Sequence, residues 1–230
     1  MAGKVRRSRR REGSLSRESI VEASIELLDD QGESGLTFRA LSEQLATGPG
    51  AIYWHIANKN DLLTAACDAV IARTMNGLLV RPTSGAKPEA TIRAIALGLF
   101  DAIDVHPWVG SALTLAPGQL SMLRILERLG EQVRALGVSD DTQWAVMSAL
   151  VNYILGVGGR NAANGQLARA RGLDRSDFLE AVSTLWSQLD ADEYPFVRSI
   201  AGKVRTHDDR TDFLAGIDLI LRGIDSPRRR

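Results

Sequence analysis

Tyr53, Trp54, His55 and Lys59 lie within seven positions and carry the most specific chemistry in this sequence. A phenol and an imidazole donate hydrogen bonds, an indole offers a wide apolar face, and an ammonium seeks an anion. That set suits a nucleic-acid backbone: Tyr53 can donate to a phosphate, and Trp54 can pack on a sugar or a thymine methyl. Gly48, Pro49, Gly50 and Ala51 precede them, and small residues let a backbone approach a duplex. Lys59 falls at a predicted helix start, where its charge and the free amide groups both favour a phosphate. The same pattern also fits an ordinary helical hairpin with Tyr53 and Trp54 in its core.

The elements that would position these residues are helices. Apolar residues recur three and four apart, sustained alternation is missing, and no Asn-Gly or Asp-Gly hairpin turn occurs, so the chain reads as all-α. Ser16 caps a first helix with Ile20, Ala23 and Leu27 on its apolar face; Gly32 and Gly35 end it. Thr37 caps a short second helix, Thr47-Gly48-Pro49 breaks the chain, and Pro49 opens a third, ending near Trp54. Asn58 caps a fourth, with Asp61 at capping-box spacing. The third helix is too short to stand alone, so the first and fourth must hold it. That is the arrangement of a helix-turn-helix, which presents a short helix to a major groove.

Further on, residues 81–88 read as a loop. Ile92, Ile95, Leu99 and Ile103 mark a fifth helix that breaks at His106-Pro107, and a short helix follows through Trp108 and Leu113. Leu120 to Leu136 form the next, and Ser139 caps a long one expected to end at Gly156–Gly159. Phe178 to Leu189 mark a ninth helix, residues 190–210 read as a polar loop, and Phe213 to Ile224 mark the last.

Composition bounds the class. The chain has 230 residues with 28 basic and 28 acidic side chains, and 44% are apolar, enough for a full core. A single cysteine, Cys67, excludes an internal disulfide framework and a cysteine-ligated zinc cluster. No apolar run reaches a membrane-spanning length and no secretory apolar segment follows the basic start, so the expected compartment is the cytoplasm. Neutral net charge conceals an uneven distribution. Lys4, Arg6, Arg7, Arg9, Arg10 and Arg11 crowd the first eleven residues, whereas residues 12–80 hold ten acidic side chains against four basic. A basic terminal block is either a solubilising tail or an arm for a polyanion.

Residues 15–63 resemble the DNA-binding domain of the TetR family of bacterial repressors. Leu36-Thr37-Phe38-Arg39-Ala40-Leu41 and Tyr53-Trp54-His55-Ile56-Ala57-Asn58-Lys59 carry the resemblance, and the Tyr-Trp-His wording is similar to the family's tetracycline-repressor-like branch. Near the other end, Gly216 to Gly223 resembles that branch's final dimerisation helix. The resemblance implies a homodimeric, ligand-responsive repressor of a palindromic operator. It divides the chain into a basic arm (1–14), a DNA-binding head (15–62), a ligand-binding and dimerisation domain (63–225) and a basic tail (226–230). It also adds Thr37, Arg39 and Thr47 to the DNA-facing set, with Arg6, Arg7, Arg9 and Arg10 in the arm. The last two long helices would pair between subunits.

A repressor of this build needs a cavity. Phe100, Met122, Leu126, Trp144, Met147 and Tyr153 are its candidate lining, with Asn152 to hydrogen-bond, although each could equally be core. Met75 and an apolar residue near Leu113 stand where the tetracycline-repressor branch carries histidines for its drug and magnesium, which argues against that effector. His106 remains near the expected pocket. The expected effector is a small apolar or aromatic, polyketide-like molecule, with no metal or cofactor. His207 beside Asp208 and Asp209 reads as a solvated loop. Two other classes compete: a small helical enzyme, for which no nucleophile–base set or phosphate loop is present, and a protein coating DNA without site preference.

Overall fold

Helix starts fall where capping chemistry puts them. Ser16 Oγ accepts from the Ser19 amide at 3.1 Å and Ser19 Oγ accepts from the Ser16 amide, closing a capping box at the head of α1 (Arg17–Gly35). Gly32 interrupts α1 with φ +67°, a backbone region that favours glycine. Thr37 Oγ1 accepts from the Ala40 amide at 3.0 Å to start α2 (Phe38–Gln44). Pro49 opens the five-residue α3 (Pro49–Tyr53). Asn58 and Asp61 exchange bonds of 2.9 and 3.1 Å at the start of α4 (Lys59–Leu79).

This computed structural model describes residues 15–79, 87–115 and 118–225. Arg6, Arg7, Arg9 and Arg10, most of the loop at 81–88, and the tail at 226–230 lie outside the described residues. All described elements are helices. After α4 come α5 (Pro88–Val105), α6 (Trp108–Leu115), α7 (Leu120–Ala135), α8 (Asp140–Ala170), α9 (Arg175–Ser187), α10 (Pro195–Val204) and α11 (Asp209–Asp225).

The chain forms two compact units, residues 1–69 and 70–230, dividing inside α4 rather than at its start. In the first, Ile20, Leu28, Leu36, Leu41, Ile52 and Leu62 are almost wholly buried and hold the short helices together. In the second, α8 is the central helix, packed against α5, α6, α7 and α11. Ile92, Leu99, Ile103, Leu113, Leu129 and Ile217 fill that core. Ion pairs tie α5 to α11 twice, Arg93–Asp218 at 2.5 Å and Asp101–Arg210 at 2.9 Å. Burial raises the pKa of Asp101, and the Arg210 guanidinium partly offsets that. The hairpin of α9 and α10 packs chiefly on itself.

Two sequence expectations need correcting. The long helix does not stop at Gly156–Gly159 but runs on to Ala170. Two of them serve packing: a Cβ at Gly158 would stand 3.1 Å from Ile103 Cδ1, and one at Gly110 would stand 3.6 Å from the Gly159 Cα, whereas Gly156 is exposed with open space beside it. The stretch 190–210 is not all loop, because Pro195 begins α10 and Val197, Ile200, Ala201 and Val204 form its inward face at helical spacing.

Candidate DNA-reading head and ligand cavity

In the first unit, α3 is pinned from beneath. Ile52 is fully buried, and the Tyr53 ring stacks on Phe38 with centroids 4.1 Å apart and planes 10° from parallel. Tyr53 therefore has one face in the fold while half of it remains in solvent. Trp54 is 90% exposed, which excludes it from the core of a hairpin. Tyr53 and Trp54 stand side by side, so two partly or fully exposed rings leave contiguous apolar surface at the end of α3, the kind of patch that marks a binding site.

The N-terminal side of α3 is bare. Gly48, Pro49 and Gly50 are exposed, and a Cβ added at Gly48 or Gly50 would meet no atom within 4 Å. Ala51 is half-buried, as is Thr47, whose amide donates to the Ser42 carbonyl at 3.0 Å. Thr37 is occupied as the α2 cap. Arg39 projects from α2 and pairs with Glu43 one turn on, at 3.0 Å, with both side chains well exposed. An exposed pair of this kind is weak, so a phosphate can displace Glu43 at little cost. His55 is exposed beside a groove lined also by Arg17, Asp61 and Asp68. Lys59 Nζ donates to the Glu33 carbonyl beyond the Gly32 break, a cation capping the end of α1. Trp54, the two glycines, Arg39 and Lys59 thus share one small unit and offer several groups suited to phosphate and sugar.

The second unit contains a cavity of about 680 Å³. One wall is α8, with Tyr153, Val157, Arg160, Asn161 and Asn164. Across from it the α9–α10 hairpin contributes Phe178, Val182 and Trp186 from one helix and Ile200 and Lys203 from the other. Phe100 of α5 and Phe213 of α11 complete an aromatic cluster: Phe213 lies 4.6 Å from Phe100 and 5.6 Å from Tyr153, centroid to centroid. Tyr153 Oη donates to the Phe213 carbonyl at 3.1 Å. Burial pushes the Tyr153 phenol above its ordinary pKa, against a nearby Arg160 that favours ionisation.

Polar groups gather at one end. Arg175 of α9 meets Asp209 of α11 through two nitrogens, at 2.9 and 2.5 Å. His207 lies between Asp209, at 3.0 Å, and Asp212. Arg175 and Asp209, with Phe100 and Asn161, also line an adjoining cavity of about 470 Å³.

Only Phe100 and Tyr153 of the expected lining face this space. Met75 and Met122 are core residues, buried in α4 and α7. Leu126 is half-buried on α7, and the Met147 sulfur rests against α7 at Gly130. Trp144 is 70% exposed, because no residue of α8 before Leu150 is buried. Asn152 is exposed on α8 and is not among the residues lining this cavity. His106 caps the end of α5, its amide on the Ala102 carbonyl and its ring edge-on to Trp108 at 6.1 Å. Sequence reading missed Arg160, Asn164, Trp186 and Lys203. Val182 and Trp186, one turn apart, were the available signal on α9. His207 lies exposed in the loop between α10 and α11, and that loop also lines the cavity; among the described residues no group of three or more His, Cys, Asp or Glu could hold a metal ion. No helix among the described residues is long and apolar enough to cross a membrane.

Comparison with known proteins bears on both sites. The family model "Bacterial regulatory proteins, tetR family" matches residues 20–66, and "Tetracyclin repressor-like, C-terminal domain" matches residues 84–227. The solved structure of the transcriptional regulator SCO7222, a TetR from Streptomyces coelicolor, is 51% identical with a TM-score of 0.80, covering 92% of this chain and 98% of that one. BioQ with its natural double-stranded DNA operator is 31% identical with a TM-score of 0.58, over 69% of this chain and 93% of that one. A curated HTH-type transcriptional regulator from Saccharopolyspora erythraea is 29% identical over 144 residues, which are 62% of this chain but only 59% of that protein's length.

Proposed function

The chain belongs to the TetR family of bacterial regulatory proteins, a family of transcriptional regulators and not of enzymes, and on that premise we propose a ligand-responsive repressor. It binds a palindromic operator as a homodimer in the cytoplasm and lets go when a small molecule with aromatic surface fills the cavity of the second unit. The observation that carries this reading is the exposed end of α3, where Trp54 and two glycines with free space ahead of them offer a surface that serves no packing purpose. The BioQ relative, solved with its DNA operator, supports the same use of the head.

Two helices support the homodimer. Ala145, Ala149, Asn152, Gly156 and Ala163 run as an exposed stripe along α8, and Ala215, Leu219 and Gly223 do so along α11. Stripes made mostly of small residues let a second pair of helices approach closely, and exposed Leu219 supplies apolar surface for them to cover. Two heads would then read half-sites on one face of the duplex, separated by about one helical turn or somewhat more. A hundredfold loss of operator affinity requires the effector to favour the released form by about 2.7 kcal/mol per dimer.

The test is nuclease protection of the DNA upstream of the protein's own gene. Protection of an inverted repeat, lost on adding an aromatic effector, is the expected result. Broad protection that fades with salt and prefers no sequence would replace the repressor by a DNA-coating protein.

A further inference from the structure

Resting on the reading of the second unit's cavity as the effector site, we infer that the effector is an aromatic anion, its negative group received by Arg160 and Lys203. The charge inventory of the cavity leads there. Arg175 is neutralised by its two-point contact with Asp209, and both ring nitrogens of His207 face carboxylates, Asp209 and Asp212. Every carboxylate on the lining is thereby engaged. Arg160, from the α8 wall, and Lys203, from the α10 wall, have no carboxylate partner among the described residues. With His207 neutral, Arg160, Arg175 and Lys203 stand against Asp209 and Asp212, so the lining carries one positive charge in surplus, and Arg160 and Lys203 are the two cations left to share an incoming anion beside the Phe100–Phe213–Tyr153 cluster.

A neutral apolar ligand filling this space would strip water from both cations and return nothing, a cost that rises with burial. A ligand with a flat ring system and a carboxylate or acidic phenol places its ring on that cluster and its charge between the two walls. Asn161 and Asn164 on the same α8 face can take up ring oxygens. Arg160 and Lys203 are both exposed, so water screens them and the preference for charge is moderate: about tenfold in Kd, the size of one charge-assisted hydrogen bond.

The experiment is calorimetric titration of the full-length protein with two matched probes, anthraquinone carboxylate and its uncharged carboxamide, each also assayed for release of operator DNA. The wild type is expected to bind the carboxylate about tenfold tighter. Arg160→Ala and Lys203→Ala should each shrink that preference, and the double variant should erase it while leaving carboxamide affinity within about twofold. Arg160→Lys should keep most of it, and Lys203→Glu should reverse it. Unchanged thermal unfolding verifies that the variants fold. Equal affinity of the wild type for both probes, or equal weakening of both by the alanine variants, overturns the anionic effector. If the carboxamide binds and releases DNA with no preference for charge, the cavity stands and only the anion falls. If neither probe gives heat, the cavity reading falls and takes this inference with it.

Discussion

Gly50→Glu should make the protein more stable and a worse DNA binder at once. Gly50 is the second residue of α3, is exposed, and has no atom within 4 Å of where a Cβ would stand. Removing a glycine from a helix contributes about 0.5–1 kcal/mol. A carboxylate in the first turn adds about 0.3–1 kcal/mol through the helix dipole. In a chain of this size the melting temperature should rise by about 2–4 °C for each kcal/mol. On the operator the sign reverses. A carboxylate about 7 Å from a phosphate is repelled by about 0.6 kcal/mol in bulk water, and by about 2.4 kcal/mol at the effective dielectric of a protein surface. Two heads double this, giving a loss of about tenfold to a few thousandfold in Kd. Gly50→Ala, with no charge, should keep the stabilisation and lose much less affinity. Thermal unfolding and a mobility-shift titration read the two effects separately. Wild-type affinity in a folded Gly50→Glu protein would show that α3 does not face DNA, and a drop of more than about 2 kcal/mol in stability would show that the space beside Gly50 is not free.

Lys59→Ala should weaken binding to all operators alike and flatten the salt dependence by about one phosphate contact per subunit, read from mobility shifts at several salt concentrations; an unchanged slope would leave Lys59 as the cap of α1 alone. Deleting residues 1–11 should reduce affinity at physiological salt and flatten the slope further while preserving operator preference, since the head that remains is rich in acid; a slope like that of the full chain would make the arm a solubilising tail. At the start of α9, Asp174 accepts the Asp177 amide at 2.8 Å and a bond from Ser176, which hold its pKa below the ordinary carboxylate value. That bond stabilises the fold above the unfolded pKa and is lost as pH falls through the lowered one. Asp174→Ala should therefore reduce stability at neutral pH and flatten the acid limb of a circular-dichroism titration, and an unaltered limb would contradict the capping role.

What the sequence made legible was local. Ser16, Thr37 and Asn58 cap their helices as their side-chain chemistry predicts, and Pro49 starts α3, because capping depends on three or four neighbouring residues. The head could be read for the same reason: its residues are close in sequence and its resemblance is carried by contiguous words. The cavity depends on which faces of distant helices meet. Phe100 and Tyr153 line the cavity, but no residue of α8 before Leu150 is buried and Trp144 sits on the exposed side of that stretch, and Trp186 enters the cavity because α9 and α10 fold together as a hairpin. Glycine misled for a related reason. In Gly156–Gly159 it looks like a helix stop, yet Ile103 presses on Gly158 and needs the missing side chain. The α10 helix was hidden by acidic Asp190, Asp192 and Glu193 before it, which masked the apolar spacing from Val197 to Val204.

The α9–α10 hairpin forms one wall of the cavity while packing chiefly on itself. That division of labour bears on how such a regulator diverges. Substitutions at Val182, Trp186, Ile200 or Lys203 change the shape and charge of the space without touching the α5–α8–α11 body. On the proposed reading of the cavity as the effector site, duplicated copies of such a gene could acquire new effectors through changes in roughly thirty residues of hairpin while the framework they inherit stays intact. Exchanging the hairpin between two such paralogues should move inducer choice with it and leave the recognised DNA sequence behind.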